Sequence, residues 1–289
     1  MPAPRPGTHP HTVVAPAPGT GPGFWAGAPS SAPLPGGGVA LAWRERRGHD
    51  GTDRNVLAVS ADGVAFEEVG RLESARFGAR WVERPTLLRT PAGRWRLYAC
   101  CASPSGPQWW IEVLEADDLP GLVDAPSRRV LEPVPSQGPV AVKDPVVQVR
   151  EGIWTAWVCC HLLDVPGAED RMRTDVATST DGLTWTWRGT ALAGTPGAWD
   201  ARGARITCVL PDGTALYDGR ASREENWFER SGVAAPGPGG RLRPAPGGPV
   251  DVRYVDVLPL PGGGARLYYE ARTPDGSHEL RTELAPVGA

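Results

Sequence analysis

Apolar residues along this chain fall into short runs that alternate with polar ones at a period of two, and each run is broken before a helical period can establish itself. Stretches such as "VALAWRERR", "NVLAVS", "IWTAWVCCH" and "ARLYYEAR" are rich in β-branched and aromatic residues. Between them sit clusters of turn residues, drawn from 37 glycines and 32 prolines. This pattern predicts an all-β chain of many short strands.

The strands recur in a fixed order: a short strand, a Gly-containing turn, a second strand rich in Trp or Tyr, a loop, then two more strands. The copies open on "GAPSSAPLPGGGVALAWRERR", "ERPTLLRTPAGRWRLYACCA", "KDPVVQVREGIWTAWVCCH", "DARGARITCVLPDGTALYDGRAS" and "RYVDVLPLPGGGARLYYEAR". Five units of roughly 40 to 55 residues predict a five-bladed β-propeller, with four-stranded antiparallel blades around a central channel. One propeller domain is expected over residues 24–289. Residues 1–23, dense in Pro and Gly, are expected to form a flexible N-terminal segment outside it.

Two loops share the pattern S-x-D-G-x-x-aromatic: Ser60 to Phe66 and Ser179 to Trp185. In such an Asp-box hairpin turn, Ser and Asp accept turn amides, Gly takes positive φ, and the ring packs between blades. Asp62 and Asp181 are therefore assigned to structure.

Charge narrows the partners. A net charge of −3 and a pI near 6.0 supply no basic field for nucleic acid. No run of apolar residues is long enough for a membrane helix, and the N-terminus lacks the apolar stretch of a secretory signal, so a cytoplasmic protein is expected. Closed propellers leave few strand edges to pair, which predicts a monomer. The five cysteines include the adjacent pairs Cys100–Cys101 and Cys159–Cys160; neighbours on a strand face opposite ways, so neither pair is expected to form a disulfide or chelate a metal. No metal or cofactor is expected. Of the 30 basic residues only Lys143 is a lysine, a bias that points to GC-rich coding and leaves one ammonium beside Asp144 and Pro145.

The five-fold repeat, the two Asp-box turns, "KDP" opening one blade and "LYYEAR" on a later strand together resemble the five-bladed propeller glycoside hydrolases, of the arabinanase and xylosidase type of family 43 and the mannoside phosphorylase type of family 130. That resemblance implies that the inner strand of each blade lines the channel and that carboxylates near its start converge at one end. Matched residue by residue, the inner strands offer Glu83 and Arg84, Lys143 and Asp144, Asp200 and Arg205, and Arg253, Tyr254 and Asp256. Second strands add Trp43, Arg44, Arg46, His161, Asp218 and Glu270. Charges in such apolar strands are costly without partners or a function.

Glycosidic cleavage needs an acid to protonate the departing oxygen and a carboxylate to activate water or attack. The family 43 pattern implies a blade-one Asp as base, a blade-three Asp that orients, and a blade-four Glu as acid. Asp144 fills the blade-three place, but blade one reads "GAPSSAP" and blade four offers Asp200. Catalytic candidates are accordingly Asp144, Glu83, Asp200, Asp256 and Glu270. A family 130-like scheme, with one acid and cations that bind phosphate, is compatible with Lys143, Arg84, Arg205 and Arg253. Substrate-binding candidates are Trp43, Arg44, Arg46, Arg84, Lys143, His161, Arg205, Asp218, Arg253 and Tyr254. Their many cations predict a small anionic saccharide or glycoside as substrate. The expected function is glycoside hydrolase-like acid/base chemistry, as hydrolase or phosphorylase. Alternatives are a non-hydrolytic biosynthetic reaction (cyclisation, dehydration or elimination) and a carbohydrate-binding pseudoenzyme.

Overall fold

A computed structural model describes residues 3–48 and 53–285. N-terminal to the repeats lies β1 (His11–Ala15). Blade one is β2 (Phe24–Pro33), β3 (Val39–Arg47), β4 (Arg54–Ser60) and β5 (Glu67–Glu73). Blade two is β6 (Thr86–Arg89), β7 (Trp95–Ala102), β8 (Trp109–Ala116) and β9 (Arg128–Leu131). Blade three is β10 (Val140–Arg150), β11 (Ile153–Leu162), β12 (Met172–Ser179) and β13 (Thr186–Ala193). Blade four is β14 (Gly203–Val209), β15 (Ala215–Arg220), β16 (Arg230–Pro236) and β17 (Leu242–Pro244). Blade five contributes β18 (Arg253–Pro259), β19 (Ala265–Arg272) and β20 (His278–Ala285). Within each blade, successive strands pair antiparallel. The chain is a five-bladed all-β propeller.

Blade five takes its fourth strand from the other end of the chain. β1 pairs antiparallel with β20, Thr12 opposite Thr282 and Val13 opposite Arg281, and the Gly7 amide donates to Glu283 Oε2 at 3.0 Å. This corrects the expectation that residues 1–23 lie outside the propeller. Five residues, three of them apolar, suffice here because β20 would otherwise end the blade with an unpaired edge.

Five hydrophobic clusters fill the spaces between neighbouring blades. Leu57 and Leu72 meet Leu97 and Leu114 between blades one and two, and Tyr98 and Ile111 meet Val142 and Trp154 between two and three. The remaining three interfaces are built the same way. The Asp-box turns lock onto them. Asp62 Oδ1 accepts the amides of Val64 and Ala65, and Asp181 Oδ1 those of Leu183 and Thr184; these bonds hold both carboxyls down at about 2. Gly63 and Gly182 take φ of 75° and 69°, and their carbonyls accept Tyr268 Oη at 2.9 Å and Tyr98 Oη at 2.7 Å from the adjoining blade. The rings Phe66 and Trp185 pack edge-on against those same tyrosines. All five cysteines are free and buried.

Candidate active site in the axial channel

The inner strands β2, β6, β10, β14 and β18 enter the channel from the same end, because successive blades repeat the same path around the axis. Three of them lose register at the same level: between Gly27 and Ser30, Lys143 and Val146, and Arg253 and Asp256. Inside these bulges Ala28, Asp144 and Tyr254 take φ of 52°, 46° and 54°. Left-handed backbone costs a non-glycine residue about 1–3 kcal/mol, so three such positions around one axis mark a place where side-chain placement outweighs backbone comfort.

Two of the three side chains meet. Tyr254 Oη donates to Asp144 Oδ2 at 3.2 Å, and Arg205, from blade four, donates to the same oxygen at 3.3 Å. The Arg205 guanidinium also lies 3.8 Å over the Tyr254 ring and donates to Asp218 Oδ2 at 2.8 Å. Asp218 is fixed in turn by Ser231 Oγ at 2.5 Å and the Tyr254 amide at 2.9 Å. Every oxygen of Asp218 is therefore occupied, and it positions Arg205 and Tyr254. Asp144 is different: it is fully buried, and its Oδ1 has no hydrogen-bond partner among the described residues. Burial raises the Tyr254 phenol well above its ordinary range, so it is a donor throughout the physiological pH range.

Beside this triad runs a ladder of alternating charge. Arg44 bridges Glu83 and Glu270, the latter at 2.7 Å, while Arg46 reaches Glu83 at 3.4 Å. Arg253 bridges Glu270 at 2.6 Å and Glu229 at 2.7 Å, and Glu229 also pairs with Arg220. Trp25 lies under the ladder, with Arg44, Arg46 and Arg253 at 5.0, 4.8 and 4.9 Å from its ring and His278 stacked at 5.5 Å. Gly27 makes room for Glu270: a Cβ there would stand 2.2 Å from Glu270 Oε2.

These pairings decide which acids can carry a proton. Burial would raise Glu83, but Arg44, Lys143 and Arg46 outweigh it and hold the carboxyl at about 2. In Glu270, burial is likewise overcome by Arg253 and Arg44, and in Glu229 by Arg253, Arg205 and Arg220; both sit well below the usual carboxylate range. Three acids go the other way: Asp218, Asp53 and, at the far end of the channel, Asp256, which burial raises against Arg84 and the Ser31 hydrogen bonds. Burial raises Asp218 despite Arg205, and burial reinforced by Glu83 lifts Asp53 to about 7 against Arg46 and Arg44. Neither oxygen of Asp53 has a hydrogen-bond partner among the described residues, and Arg46 Nε stands 3.9 Å away.

Several candidates named from the sequence lie elsewhere. Arg84 crosses the axis below the triad and donates to the carbonyls of Pro29 at 3.3 Å, Pro145 at 3.2 Å and Thr207 at 2.7 Å. It ties blades one, three and four together, and its side chain also borders the cavity at the far end of the channel. Asp256 is 3.9 Å from Arg84 and accepts the Ser31 amide at 2.8 Å and the Ser31 hydroxyl; with Ser30, Thr86, Val146 and Cys208 it lines a separate cavity of about 380 Å³ at the far end of the channel. Asp200 accepts Tyr217 Oη at 3.0 Å and pins the loop before β14, so blade four places no carboxylate at the triad from its inner strand. Trp43 packs in the core with Leu41, Val56 and Leu280, because it alternates with Arg44 and Arg46 on β3. His161 is half-buried, donates from Nδ1 to the Glu169 carbonyl at 3.0 Å, and is kept neutral by burial and by the cations Lys143, Arg220 and Arg205.

Glu229, Arg220, His278, Trp25 and Asp53 join the site without having been named from the sequence. Glu229 sits at the end of the polar stretch "REENWFER", where nothing separates it from solvated neighbours until Arg253 and Arg220 are seen to enclose it. With Glu229 and Glu270 in place, the arginines no longer form a surplus: each of Arg44, Arg46, Arg205, Arg220 and Arg253 has a carboxylate within 4.0 Å. The cation count that suggested an anionic substrate is thus met from within for the arginines.

The fold is that of the five-bladed propellers among which solved glycoside hydrolases and phosphorylases are found. No family model and no curated protein matches the chain, but solved structures match over nearly its whole length. A glycoside hydrolase of the family 130 mannoside phosphorylases, one that targets β-1,2-mannosidic linkages in Candida mannan, superposes with a TM-score of 0.62 at 13% identity, covering 99% of this chain and 96% of the other. The β-1,2-mannobiose phosphorylase of Listeria innocua gives 0.65 at 13%, covering 97% and 92%. A sucrose-6-phosphate hydrolase from Lactobacillus gasseri gives 0.65 at 11%, covering 96% of this chain and 63% of the other. At these identities the likeness is one of fold.

Proposed function

We propose that the protein is a carbohydrate-active enzyme, a glycoside hydrolase or phosphorylase, that works with a single proton-transferring carboxylate, Asp144. The observation that carries this is the asymmetry of that carboxyl: Oδ2 is held by Tyr254 and Arg205, while Oδ1 is left for a ligand in a buried, strained and preorganised setting. Family 43-type hydrolysis needs two further acids. Ala28 occupies the bulge position on blade one where the resemblance would place the base, and Glu83, Glu229 and Glu270 are tied up in arginine pairs that make them poor proton carriers. One-acid cleavage, in which an incoming nucleophile other than an enzyme carboxylate attacks the sugar, fits this inventory better. The solved phosphorylases of the same fold support it as well.

The shortage of acids also favours a second reading, in which the pocket binds a saccharide without turning it over. Screening nitrophenyl glycosides and unmodified disaccharides, each with and without inorganic phosphate, separates the two. Turnover that depends on Asp144 establishes the enzyme. Tight saccharide binding with no turnover of any substrate establishes the binding protein.

A further inference from the structure

Lys143 differs from every arginine of the channel. It has no carboxylate within 4.0 Å among the described residues, whereas Arg44, Arg46, Arg205, Arg220 and Arg253 each have one. Its Nζ lies 4.0 Å over the Trp109 ring, and Trp109 stacks with Trp81 at 6.5 Å and 24°. All three residues are half-buried. A ring face holds an ammonium in place without cancelling its charge, so Lys143 is oriented yet still available. Lys143 is the last paired residue before the bulge that carries Asp144, so the two are chain neighbours on the inner strand. The Lys143 charge also acts on Glu83 and His161, lowering both, behind Arg44 at Glu83 and burial at His161.

We propose that Lys143 binds a carboxylate carried by the saccharide itself, so that the pocket takes a uronate in preference to the neutral hexose. One available positive charge matches one negative charge. A free phosphate dianion would call on further cations, and the guanidiniums nearby are already neutralised by acids. A lysine suits this place because a compact ammonium on a flexible stem meets a single carboxylate oxygen as a point charge. This inference rests on the reading of the Asp144 pocket as the saccharide site.

The test is calorimetric titration of the full chain with three matched pairs: glucuronate and glucose, galacturonate and galactose, mannuronate and mannose, with inorganic phosphate alongside. Wild type is expected to bind at least one uronate about tenfold or more tighter than its hexose, and Lys143→Met and Lys143→Gln to lose that preference while hexose binding stays. In wild type alone, raising salt from about 0.05 to about 0.5 M should weaken the uronate and spare the hexose, a readout that needs no variant to fold. No uronate preference in any pair overturns the proposal, as does a preference that survives both substitutions. Lys143-dependent binding of phosphate without a uronate preference also overturns it. A Lys143-dependent preference in a protein whose Asp144→Asn form cleaves glycosides at the wild-type rate would remove the role given to Asp144 and leave this site standing.

Discussion

Tyr254 and Asp144, on the inner strands of two non-adjacent blades, meet through a 3.2 Å hydrogen bond, and both are held there on left-handed backbone. The pair spans the axis that the five blades enclose. Tyr254→Phe keeps the ring under Arg205 and removes only the donor. Turnover is expected to fall about tenfold to a hundredfold, the loss of one oriented hydrogen bond in a buried site, with little change in KM. An unchanged kcat would show that the tyrosine serves packing alone.

Arg84 makes three hydrogen bonds to carbonyls of three different blades from a position that is 2% exposed. Arg84→Met removes every one of them and leaves the carbonyls buried. Urea denaturation should show a loss of about 3–5 kcal/mol, as for other buried charge networks broken on one side. A change below about 1 kcal/mol would mean that water replaces the guanidinium and that the axial pin contributes little.

Asp53 gives a pH dependence with a definite sign. Unfolded, the carboxyl releases its proton near pH 4; folded, it does so near 7. Between these values the folded state holds more protons, so stability falls as pH rises from about 4 to 7 and stays lower above that. Asp53→Asn is free of this effect. The variant should be more stable than wild type by about 3–4 kcal/mol at pH 8, with the advantage shrinking to nothing by about pH 4. Parallel denaturation curves at pH 4.0, 6.0 and 8.0 measure it, and an advantage that does not grow with pH would contradict the assignment.

Closure of the ring by β1 predicts that the N-terminal segment is needed for stability. Deleting residues 1–16 exposes the edge of β20 and uncovers the cluster in which Ala15 packs against Leu258 and Tyr268. Calorimetry should show a lower Tm, with a tendency of the truncated chain to associate through the freed edge. An unchanged Tm would return the segment to the role of a tail.

Much of this architecture was legible in the sequence. Repeats are local, and the Asp-box turns and strand alternation follow from local spacing, whereas Glu83, Asp144, Arg205 and Glu270 were placed on the channel by the resemblance. What escaped is non-local. β1 is a five-residue run after a proline-rich opening, and its partner lies at the far end of the chain. Glu229 reads as one more charge in a polar loop until two arginines close over it. Arg84, just before β6, and Asp256, on β18, lie near the triad residues in sequence but line the cavity at the far end of the channel, a coordinate that residue spacing does not resolve. Trp43 is the exception: the alternation of β3 already assigns it to the face opposite Arg44 and Arg46. Asp200 begins a blade as the resemblance demands, yet Tyr217, on the second strand of that blade, captures it.

The most direct measurement is the rate of Asp144→Asn on whichever glycoside the wild type cleaves, paired with its thermal midpoint. Asparagine keeps the hydrogen bond from Tyr254 and cannot exchange a proton with the ligand. The account predicts a loss of about a thousandfold or more in kcat, within the range that general acid–base catalysis supplies, in a protein that folds as before. A folded Asp144→Asn protein with near wild-type turnover would contradict it.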